Sequence, residues 1–403
     1  MRFEFITFGC KVNQYETQLL KENIPFLYRQ NNDVCVINTC CVTDKVEKEV
    51  RRIIRKKIRE GKDVWLTGCF VNKERERIKV NFPDVKIFDK FACFNRTRII
   101  SFFEKHTRAF VKIEDGCENK CSYCIIPLVR GKVSSRDENE ILEEIKTLGG
   151  NGYKEIVLTG VDLGAYGKDN GKKLSDLIEK ISKIKGIERL RLSSIEVFHI
   201  DKEFIDFLSS FEIFCPHFHI PLQSGSDRVL KLMRRRYNYS QYLEKIEYIR
   251  KKFKNVTFTT DIMIGFPEET DEDFRKSCKA VEEVGFLKVH IFPFSPREGT
   301  EAMLFENKVD WRIKKEREKG IFKVAENNRR KVMSNFLNKN LNVLVEKKEG
   351  NFWTGYSENY IPFLVSSQKN LKNKIIFVKG ERIIDGKIFG IMKNRKEERN
   401  GTI

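Results

Sequence analysis

The sequence predicts an α/β protein built from three domains. Residues 1–105 are expected to form a parallel α/β domain, residues 106–310 an open barrel of six β-α units, and residues 341–403 a small β-barrel, with a linker helix over 311–340. Three observations predict this order: cysteines that follow regularly spaced strands, a long alternation of strand and helix patterns, and short alternating strands with glycine turns. A chain of 403 residues is long enough for two or three domains.

The first domain is marked by Cys10, Cys40 and Cys69, each of which follows a short apolar run rich in β-branched or aromatic residues. They stand 30 and 29 residues apart, the length of one β-α-β unit. Because parallel strands end at one edge of a sheet, the three thiolates are expected to converge there, with room for an open iron. The alternative is a small buried side chain at each strand end. Helices are predicted at Tyr15–Glu22 and at the basic segment Val46–Arg59.

The central domain is predicted from strand patterns that alternate with helix patterns. Six units are too few for a closed eight-unit barrel, so an open partial barrel is expected. The predicted strands are Ala109–Ile113, Glu155–Thr159, Arg189–Ser193, His217–Pro221, Thr257–Ile264 and Lys288–Phe292. The predicted helices are Glu138–Leu148, Leu174–Ile184, Lys202–Leu208, Asp227–Met233, Ser240–Phe253 and Asp271–Val284.

A second cysteine set directly follows the first strand of the central domain. Cys117, Cys121 and Cys124 have the spacing C-x3-C-x2-C, with Tyr123 before the last cysteine and no histidine inside the run. A structural zinc site would need four ligands. Three thiolates suit a [4Fe-4S] cluster with one iron left open for a substrate or cofactor. The alternative is a loop with three unrelated reduced cysteines.

The last part of the chain alternates apolar and polar residues from Leu341 to Met392, with glycine turns, which predicts a five-stranded barrel. Trp353, Tyr356 and Tyr360 stand among lysines and asparagines, and such aromatic residues can stack on RNA bases. The alternative is that they belong to the core of the barrel.

The composition predicts a polyanionic partner and a reducing compartment. The net charge is +19 and the pI is near 9.3; the alternative is that the lysine-rich, asparagine-rich and proline-poor composition follows from genomic bias. Eleven cysteines without a signal peptide or a long apolar segment predict a cytoplasmic protein with no membrane span. The cysteines outside the two sets are expected to be core or bystander thiols: Cys35, Cys41, Cys93, Cys215 and Cys278.

The loop of Cys117, Cys121 and Cys124 resembles the cluster-binding loop of radical S-adenosylmethionine (SAM) enzymes. With the strand-end cysteines and the last barrel, it makes the chain similar to the methylthiotransferase family along essentially its whole length. The matching phrases are Gly9-Cys10-Lys-Val-Asn-Gln-Tyr-Glu16, Asn38-Thr-Cys40, Thr67-Gly-Cys69, Gly116-Cys117-Glu-Asn-Lys-Cys121-Ser-Tyr-Cys124, Thr159-Gly-Val-Asp162, His219-Ile-Pro-Leu-Gln223, Asp261-Ile-Met-Ile-Gly265 and Phe294-Ser-Pro-Arg297.

This resemblance implies an N-terminal auxiliary-cluster domain, a (βα)6 partial barrel of radical SAM type and a C-terminal TRAM domain that binds RNA. It implies two [4Fe-4S] clusters, the auxiliary one on Cys10, Cys40 and Cys69 and the radical one on the loop. One SAM gives its methyl group to sulfur at the auxiliary cluster, and a second SAM generates the radical that attacks carbon 2 of adenine. The cofactor-binding candidates are Tyr123, Gly160, Asp162, Glu196, Gln223 and Asp261, for which ordinary strand-end polar residues are the alternative; no further catalytic residue is assigned.

The opening phrase resembles the branch that acts on N6-threonylcarbamoyladenosine in tRNA. The isopentenyladenosine branch typically reads Gly-Cys-Gln-Met-Asn there, and the branch that modifies a ribosomal protein aspartate reads Gly-Cys-Pro-Lys-Asn. Two residues depart from the family pattern. Cys41 follows Asn-Thr-Cys40 and leaves open which of the two is a ligand, with Cys40 favoured by its register; Glu268 stands where glycine is common.

The implied partners are a tRNA anticodon loop and an external electron donor of flavodoxin or ferredoxin type. The implied activity is methylthiolation of threonylcarbamoyladenosine next to the anticodon. Isopentenyladenosine tRNA and a ribosomal protein aspartate are the alternative substrates. A non-catalytic, redox-sensing RNA-binding protein with two clusters is the alternative of another class, and the six-unit barrel counts against it because a sensor needs no substrate cavity.

Overall fold

A computed structural model describes residues 3–27, 33–89 and 98–394. The predicted thiol Cys93 and residues 395–403 of the predicted C-terminal domain lie outside this described part of the chain.

The N-terminal domain is a parallel four-stranded sheet in the order β1-β2-β3-β4. Its elements are β1 Phe3–Thr7, α1 Lys11–Leu27, β2 Val34–Thr39, α2 Asp44–Arg59, β3 Asp63–Gly68, α3 Cys69–Asn81 and β4 Lys86–Ile87. Thr7 pairs with Asn38, and Thr39 pairs with Gly68, so the strand ends lie level. The predicted helix at Tyr15 begins four residues earlier, because buried Val12 and Asn13 already belong to its first turn.

The central domain is an open barrel of six parallel strands. Two parallel sheets, β5-β8-β9 and β10-β11-β12, are joined by isolated bridges between Leu190 and Phe214 and between Ser194 and His219. The elements are β5 Arg108–Lys112, β6 Glu114–Asp115, α4 Ile126–Arg130, β7 Ser134–Ser135, α5 Glu138–Gly150, β8 Glu155–Thr159, α6 Leu174–Ser182, β9 Arg189–Leu192, α7 Lys202–Ser209, β10 His217–His219, α8 Asp227–Leu232, α9 Tyr239–Lys252, β11 Thr257–Ile264, α10 Asp271–Val284 and β12 Lys288–Pro293. The predicted (βα)6 architecture is confirmed.

Local sequence explains these elements. The strands are nearly continuous apolar runs because helices cover one face and the barrel interior covers the other; all five residues of β8 are buried. The helices begin at side chains that cap free backbone N–H groups, such as Asp137 before α5 and the capping boxes of Asn238 and Thr270 before α9 and α10. The short elements β6, α4 and β7 were not predicted, since segments of two to five residues carry no readable period.

The predicted linker helix is α11 Trp311–Ser334, and it is part of the central domain. Ile321 and Ala325 join the main hydrophobic core, and Arg317 pairs with buried Glu269 at 2.6 Å. The helix ends before residue 340 because Asn335 caps it and the chain turns into the next strand. Neither α11 nor any other helix in the described ranges is long and apolar enough to cross a membrane.

The C-terminal part is the predicted five-stranded barrel. Its strands are β13 Asn340–Glu349, β14 Phe352–Ser357, β15 Pro362–Ser366, β16 Ile375–Ile384 and β17 Lys387–Met392, closed in the order β13-β14-β15-β17-β16. Its interior holds Val343, Phe363, Val378 and Ile388.

Ion pairs join the outer parts to the central barrel. Arg297 donates to Glu47 of α2 at 2.8 Å, and Arg108 donates to Glu346 of β13 at 2.7 Å. Arg297 and Glu47 are both buried, so removing either one would leave a buried charge uncompensated, which is costly. These pairs therefore fix the N-terminal sheet and the small barrel against the central domain.

Candidate active site

The loop with the second cysteine set leaves β5 and is folded back by glycine. Gly116 has φ +81°, and a Cβ atom there would lie 1.9 Å from the carbonyl oxygen of Lys132. The Cys117 N–H donates to the Gly131 carbonyl at 3.1 Å, which ties the start of the loop to the end of α4. The N–H of Cys124 donates to the carbonyl of Cys121 in a tight turn. The loop therefore presents three thiols within eight consecutive positions, 117–124.

These thiols border a cavity of about 350 Å³ at the carboxyl ends of the barrel strands. Burial raises the pKa of the Cys117 thiol and of the Cys124 thiol to about 12, so both stay protonated until a metal binds. The predicted residues that line the same cavity are Cys117, Cys121, Cys124, Tyr123, Asp162, Glu196, Gln223 and Asp261. The fold thus brings together residues from five separate segments of the chain.

Asp162 is held beside the loop by a chain of hydrogen bonds. Its carboxylate accepts from Asn119 Nδ2 at 2.8 Å and lies 3.9 Å from Cys117 Sγ, while His199 Nε2 is 3.0 Å away. Its backbone N–H donates to Glu114 at 2.9 Å. Burial raises the pKa of Glu114 to about 8. Asp162 is therefore oriented before any ligand arrives.

Gly160 lies behind this arrangement and does not line the cavity. A Cβ atom there would stand 2.3 Å from Glu114 Oε2, so glycine gives that carboxylate room to reach the backbone of Asp162. The predicted cofactor contact of Gly160 stays a prediction, while the structure gives this glycine a role in close packing.

Glu196 is paired with Arg235, a residue that the sequence did not single out. Arg235 forms an ion pair with the Glu196 carboxylate, and its Nη1 donates to Cys121 Sγ at 3.3 Å. Burial raises the pKa of Glu196, although the nearby guanidinium opposes that shift. Arg235 stands in a run of three arginines that reads as surface charge, and no local signal separates it from its neighbours.

Gln223 is strained and has an unpartnered acceptor at the cavity wall. Its φ is +67°, a conformation that costs a non-glycine residue free energy. Among the described residues its buried Oε1 has no hydrogen-bond partner. Buried polar atoms without partners are rare and commonly mark a ligand site. Beside it, Asp261 pairs with His219 at 3.2 Å.

The first cysteine set converges as predicted at the ends of β1, β2 and β3. Gly9 and Gly68 precede Cys10 and Cys69, with φ +103° and +99°. A Cβ atom at Gly9 would lie 2.9 Å from Cys40, and one at Gly68 would lie 2.4 Å from the carbonyl oxygen of Thr39. Only glycine permits such close approach of the three loops.

Arg130, at the end of α4, connects the two cysteine sets. Its Nε donates to Cys69 Sγ at 3.1 Å, and its Nη1 donates to Asp115 at 2.8 Å and to Glu16 at 3.1 Å. Its side chain is 4% exposed. Because α4 directly follows the loop of Cys117–Cys124, this arginine couples the position of one set to that of the other.

Cys40 and Cys41 have different surroundings. Cys40 contacts Gly9, next to Cys10, whereas Cys41 is fully buried in an apolar cluster with Ile37 and Phe70. The geometry supports the choice of Cys40 as the ligand, which stays a prediction.

The loop supplies three cysteine thiols beside a cavity, the donor set that a [4Fe-4S] cluster with one open iron needs. The open Gln223 acceptor suits the amino and hydroxyl donors of SAM. The residues present therefore fit a cluster with SAM beside it.

The predicted RNA-stacking residues lie largely inside the molecule. Trp353 is 9% exposed, belongs to the core of the small barrel and donates to the Ser367 carbonyl at 3.2 Å. Tyr356 and Tyr360 stack on each other at 4.8 Å, and Tyr360 also stacks on His217 at 4.5 Å. Core packing accounts for Trp353, and RNA contacts by the three aromatics remain a prediction.

Gly116→Ala should lower the free energy of unfolding by about 3 kcal/mol and abolish iron binding by the loop, because the methyl group meets the Lys132 carbonyl. Gly171→Ala is the matched control, since Gly171 has φ +76° and open space around its Cβ position. It should cost about 1 kcal/mol and leave the iron content unchanged. Urea unfolding and iron analysis measure both effects; equal losses in the two variants would contradict the close approach.

Two family models match the chain. The radical SAM superfamily matches residues 111–281, and uncharacterized protein family UPF0004 matches residues 2–89. These ranges include the second and the first cysteine set, respectively. The central domain belongs to this superfamily, whose enzymes use SAM and a [4Fe-4S] cluster.

Two relatives cover most of the chain. The threonylcarbamoyladenosine tRNA methylthiotransferase MtaB of Chlamydia pneumoniae is 38% identical over 377 residues, which is 88% of this chain and 89% of that protein. The MtaB of Thermotoga maritima is 40% identical over 342 residues, which is 77% of this chain and 79% of that protein.

Among solved structures, the radical S-adenosylmethionine methyltransferase TsrM from Kitasatospora setae has a TM-score of 0.55 at 13% identity and covers 75% of this chain and 77% of that one. At 13% identity this likeness shows the fold alone. The two sequence relatives show the family: the chain belongs to the methylthiotransferase family of radical SAM enzymes.

Proposed function

We propose that the protein is a tRNA methylthiotransferase that converts N6-threonylcarbamoyladenosine next to the anticodon into its 2-methylthio derivative. The observation that carries this proposal is a cavity that the second cysteine set borders and that residues next to the first set help to line. Val42 and Thr43, which follow Cys40 and Cys41, line the cavity bordered by Cys117, Cys121 and Cys124. Attack on a base and delivery of sulfur to it require two centres that reach one substrate.

The substrate explains why two centres are needed. Carbon 2 of adenine carries an unactivated C–H bond without an acidic proton, so acid–base groups cannot functionalise it. When bound, SAM and the cluster supply radical chemistry that can. Cys117, Cys121 and Cys124 would hold this cluster, and Asp162, Glu196 and Gln223 would surround SAM beside it.

Cys10, Cys40 and Cys69 would hold a second [4Fe-4S] cluster, from which the methylthio group is delivered. The second cluster is supported by the convergence of three thiols at one sheet edge. Arg130 supports it as well, since a cation that donates to Cys69 Sγ at 3.1 Å stabilises a thiolate there. Hydrogen bonds to ligand sulfurs are one of the ways in which a protein tunes a cluster.

A basic groove supports tRNA as the partner. A cavity of about 880 Å³ lies between residues 101–107 and the small barrel, and its lining lysines are Lys105, Lys347, Lys348 and Lys372. Cations that follow a groove bind phosphates of a nucleic acid backbone. With the net charge of +19, this groove would hold the stem next to the anticodon loop.

An external electron donor of flavodoxin or ferredoxin type would reduce the loop cluster from outside. Cys117, Cys121 and Cys124 also border an outer depression whose charged lining residues are Glu118, Lys120, Lys132, Arg234 and Glu301. The donor would approach the cluster there, and Lys120 and Lys132 could meet its acidic groups.

The proposal predicts strict selection between modified adenosines. Anaerobically reconstituted protein with SAM and a strong reductant should methylthiolate anticodon stem-loop RNA that carries threonylcarbamoyladenosine. It should leave the same RNA with isopentenyladenosine unchanged, because that substituent lacks the polar carbamoyl and carboxylate groups that a selective site would bind. Mass spectrometry of digested nucleosides measures both products.

Equal turnover of the two RNAs would contradict the choice of substrate. Turnover of a ribosomal protein aspartate alone would contradict the RNA substrate, and cluster reduction without SAM cleavage would favour the redox-sensing protein.

A further inference from the structure

Lys11 is an exposed cation next to the first cysteine set. It is the first residue of α1 and directly follows Cys10 at the sheet edge. Its charge interacts with groups from the other two parts of the protein: Asp261, His290, His217 and Tyr360.

The neighbouring cations of the barrel interior are neutralised by carboxylates. Lys112 pairs with Glu16 at 3.0 Å and with Asp115 at 2.9 Å. Arg108 pairs with Glu346 at 2.7 Å. In the same way, Arg191 pairs with Glu155 at 2.7 Å, and Arg235 pairs with Glu196.

Lys11 differs from all of these. Within the described ranges it has neither an ion pair nor a hydrogen bond, and Asp261, the anion that its charge reaches, is already paired with His219. Lys11 is therefore a cation for which the described part of the protein provides no anion of its own.

The cleft at Lys11 is open to a large ligand. Strand β12 lies at the edge of the open barrel, and Lys288, His290 and Phe292 alternate along it on one face. Phe292 lines the main cavity, whereas His290 and Lys288 are exposed. This edge therefore leaves Lys288 and His290 open to solvent beside the main cavity.

We infer that Lys11 binds the carboxylate of the threonylcarbamoyl group and so selects the substrate. The inference rests on the proposed function. In adenine, N1 lies between carbon 2 and carbon 6, and carbon 6 bears the N6 substituent. When carbon 2 faces the Cys10 side of the site, the N6 substituent therefore points to the same region. A lysine next to Cys10 is then in position to meet the anionic end of that substituent.

The test uses two RNAs that differ in one charge. Anticodon stem-loop RNA with threonylcarbamoyladenosine is compared with the same RNA in which the threonyl carboxylate is a methyl ester. Wild-type protein should prefer the acid in kcat/KM by about ten- to a hundredfold, the range expected for a charge-assisted hydrogen bond. Lys11→Gln should reduce this preference to about one through a higher KM for the acid, and Lys11→Arg should restore most of it.

Lys279→Gln is the control, since Lys279 is an exposed lysine of α10 away from the cleft. It should keep the wild-type preference, and iron content should be equal in all variants. Equal losses on acid and ester in Lys11→Gln would assign Lys11 to the cluster site and overturn the inference; an unchanged preference would also overturn it. If wild-type protein methylthiolates neither RNA, the proposed function itself is wrong, which is a distinct result.

Discussion

Replacing Cys117, Cys121 and Cys124 together by alanine should abolish cleavage of SAM to 5′-deoxyadenosine. These thiols are the only protein groups that the loop offers to an iron cluster beside the cavity, and without them no open iron is left for SAM. Iron should fall from about eight to about four per chain after anaerobic reconstitution, since the other set is intact. Chromatography of the nucleoside product and iron analysis measure the two effects.

The matched control changes three cysteines outside both sets, Cys35, Cys215 and Cys278, to alanine. Two of these are buried in the core and one lies on α10. This control should retain about eight irons and full SAM cleavage, apart from a modest loss of stability from the core positions. Retention of eight irons in the loop variant would refute the assignment of the loop.

Replacing Cys10, Cys40 and Cys69 together should separate the two activities. SAM cleavage should persist under a strong reductant, because the loop of Cys117, Cys121 and Cys124 belongs to the central domain and is unchanged. Methylthio product should disappear, because the sulfur would be delivered from the sheet edge. Iron should again fall to about four per chain.

Cys41 offers a control within one residue of the proposed ligand. Cys41→Ser should keep the iron and the methylthio product, since Cys40 is the cysteine that lies against Gly9, next to Cys10. Formation of methylthio product by the triple variant, or loss of a cluster in Cys41→Ser with Cys40 intact, would show that the ligand set is wrong.

Much of this fold could be predicted because its signals are local and repeated. Strand-end cysteines at a spacing of one β-α-β unit predicted a shared edge, and the parallel register of β1, β2 and β3 brings them there. The six strands of the barrel were readable because each is an apolar run bounded by a helix pattern. Asp162, Glu196, Gln223 and Asp261 were candidates for their place at strand ends, and all four line one cavity.

Contacts between distant segments could not be predicted. Arg130 and Arg235 each approach a cysteine sulfur, yet Arg130 follows an apolar run and Arg235 stands among other arginines, and neither pattern indicates a contact with sulfur. Tyr356 and Tyr360 read as exposed aromatic residues, but the small barrel turns them toward His217 and Arg108 of the central domain. Such contacts depend on how the three parts of the chain pack, which local patterns do not encode.

The most direct test of the central claim is the nucleoside content of tRNA from cells that lack this protein. The 2-methylthio derivative of threonylcarbamoyladenosine should be absent, its unmodified precursor should accumulate, and the wild-type gene should restore the product while the Cys117/Cys121/Cys124 variant should not. Mass spectrometry of digested tRNA resolves these species. Unchanged levels of that derivative, with loss of the 2-methylthio form of isopentenyladenosine, would contradict the account.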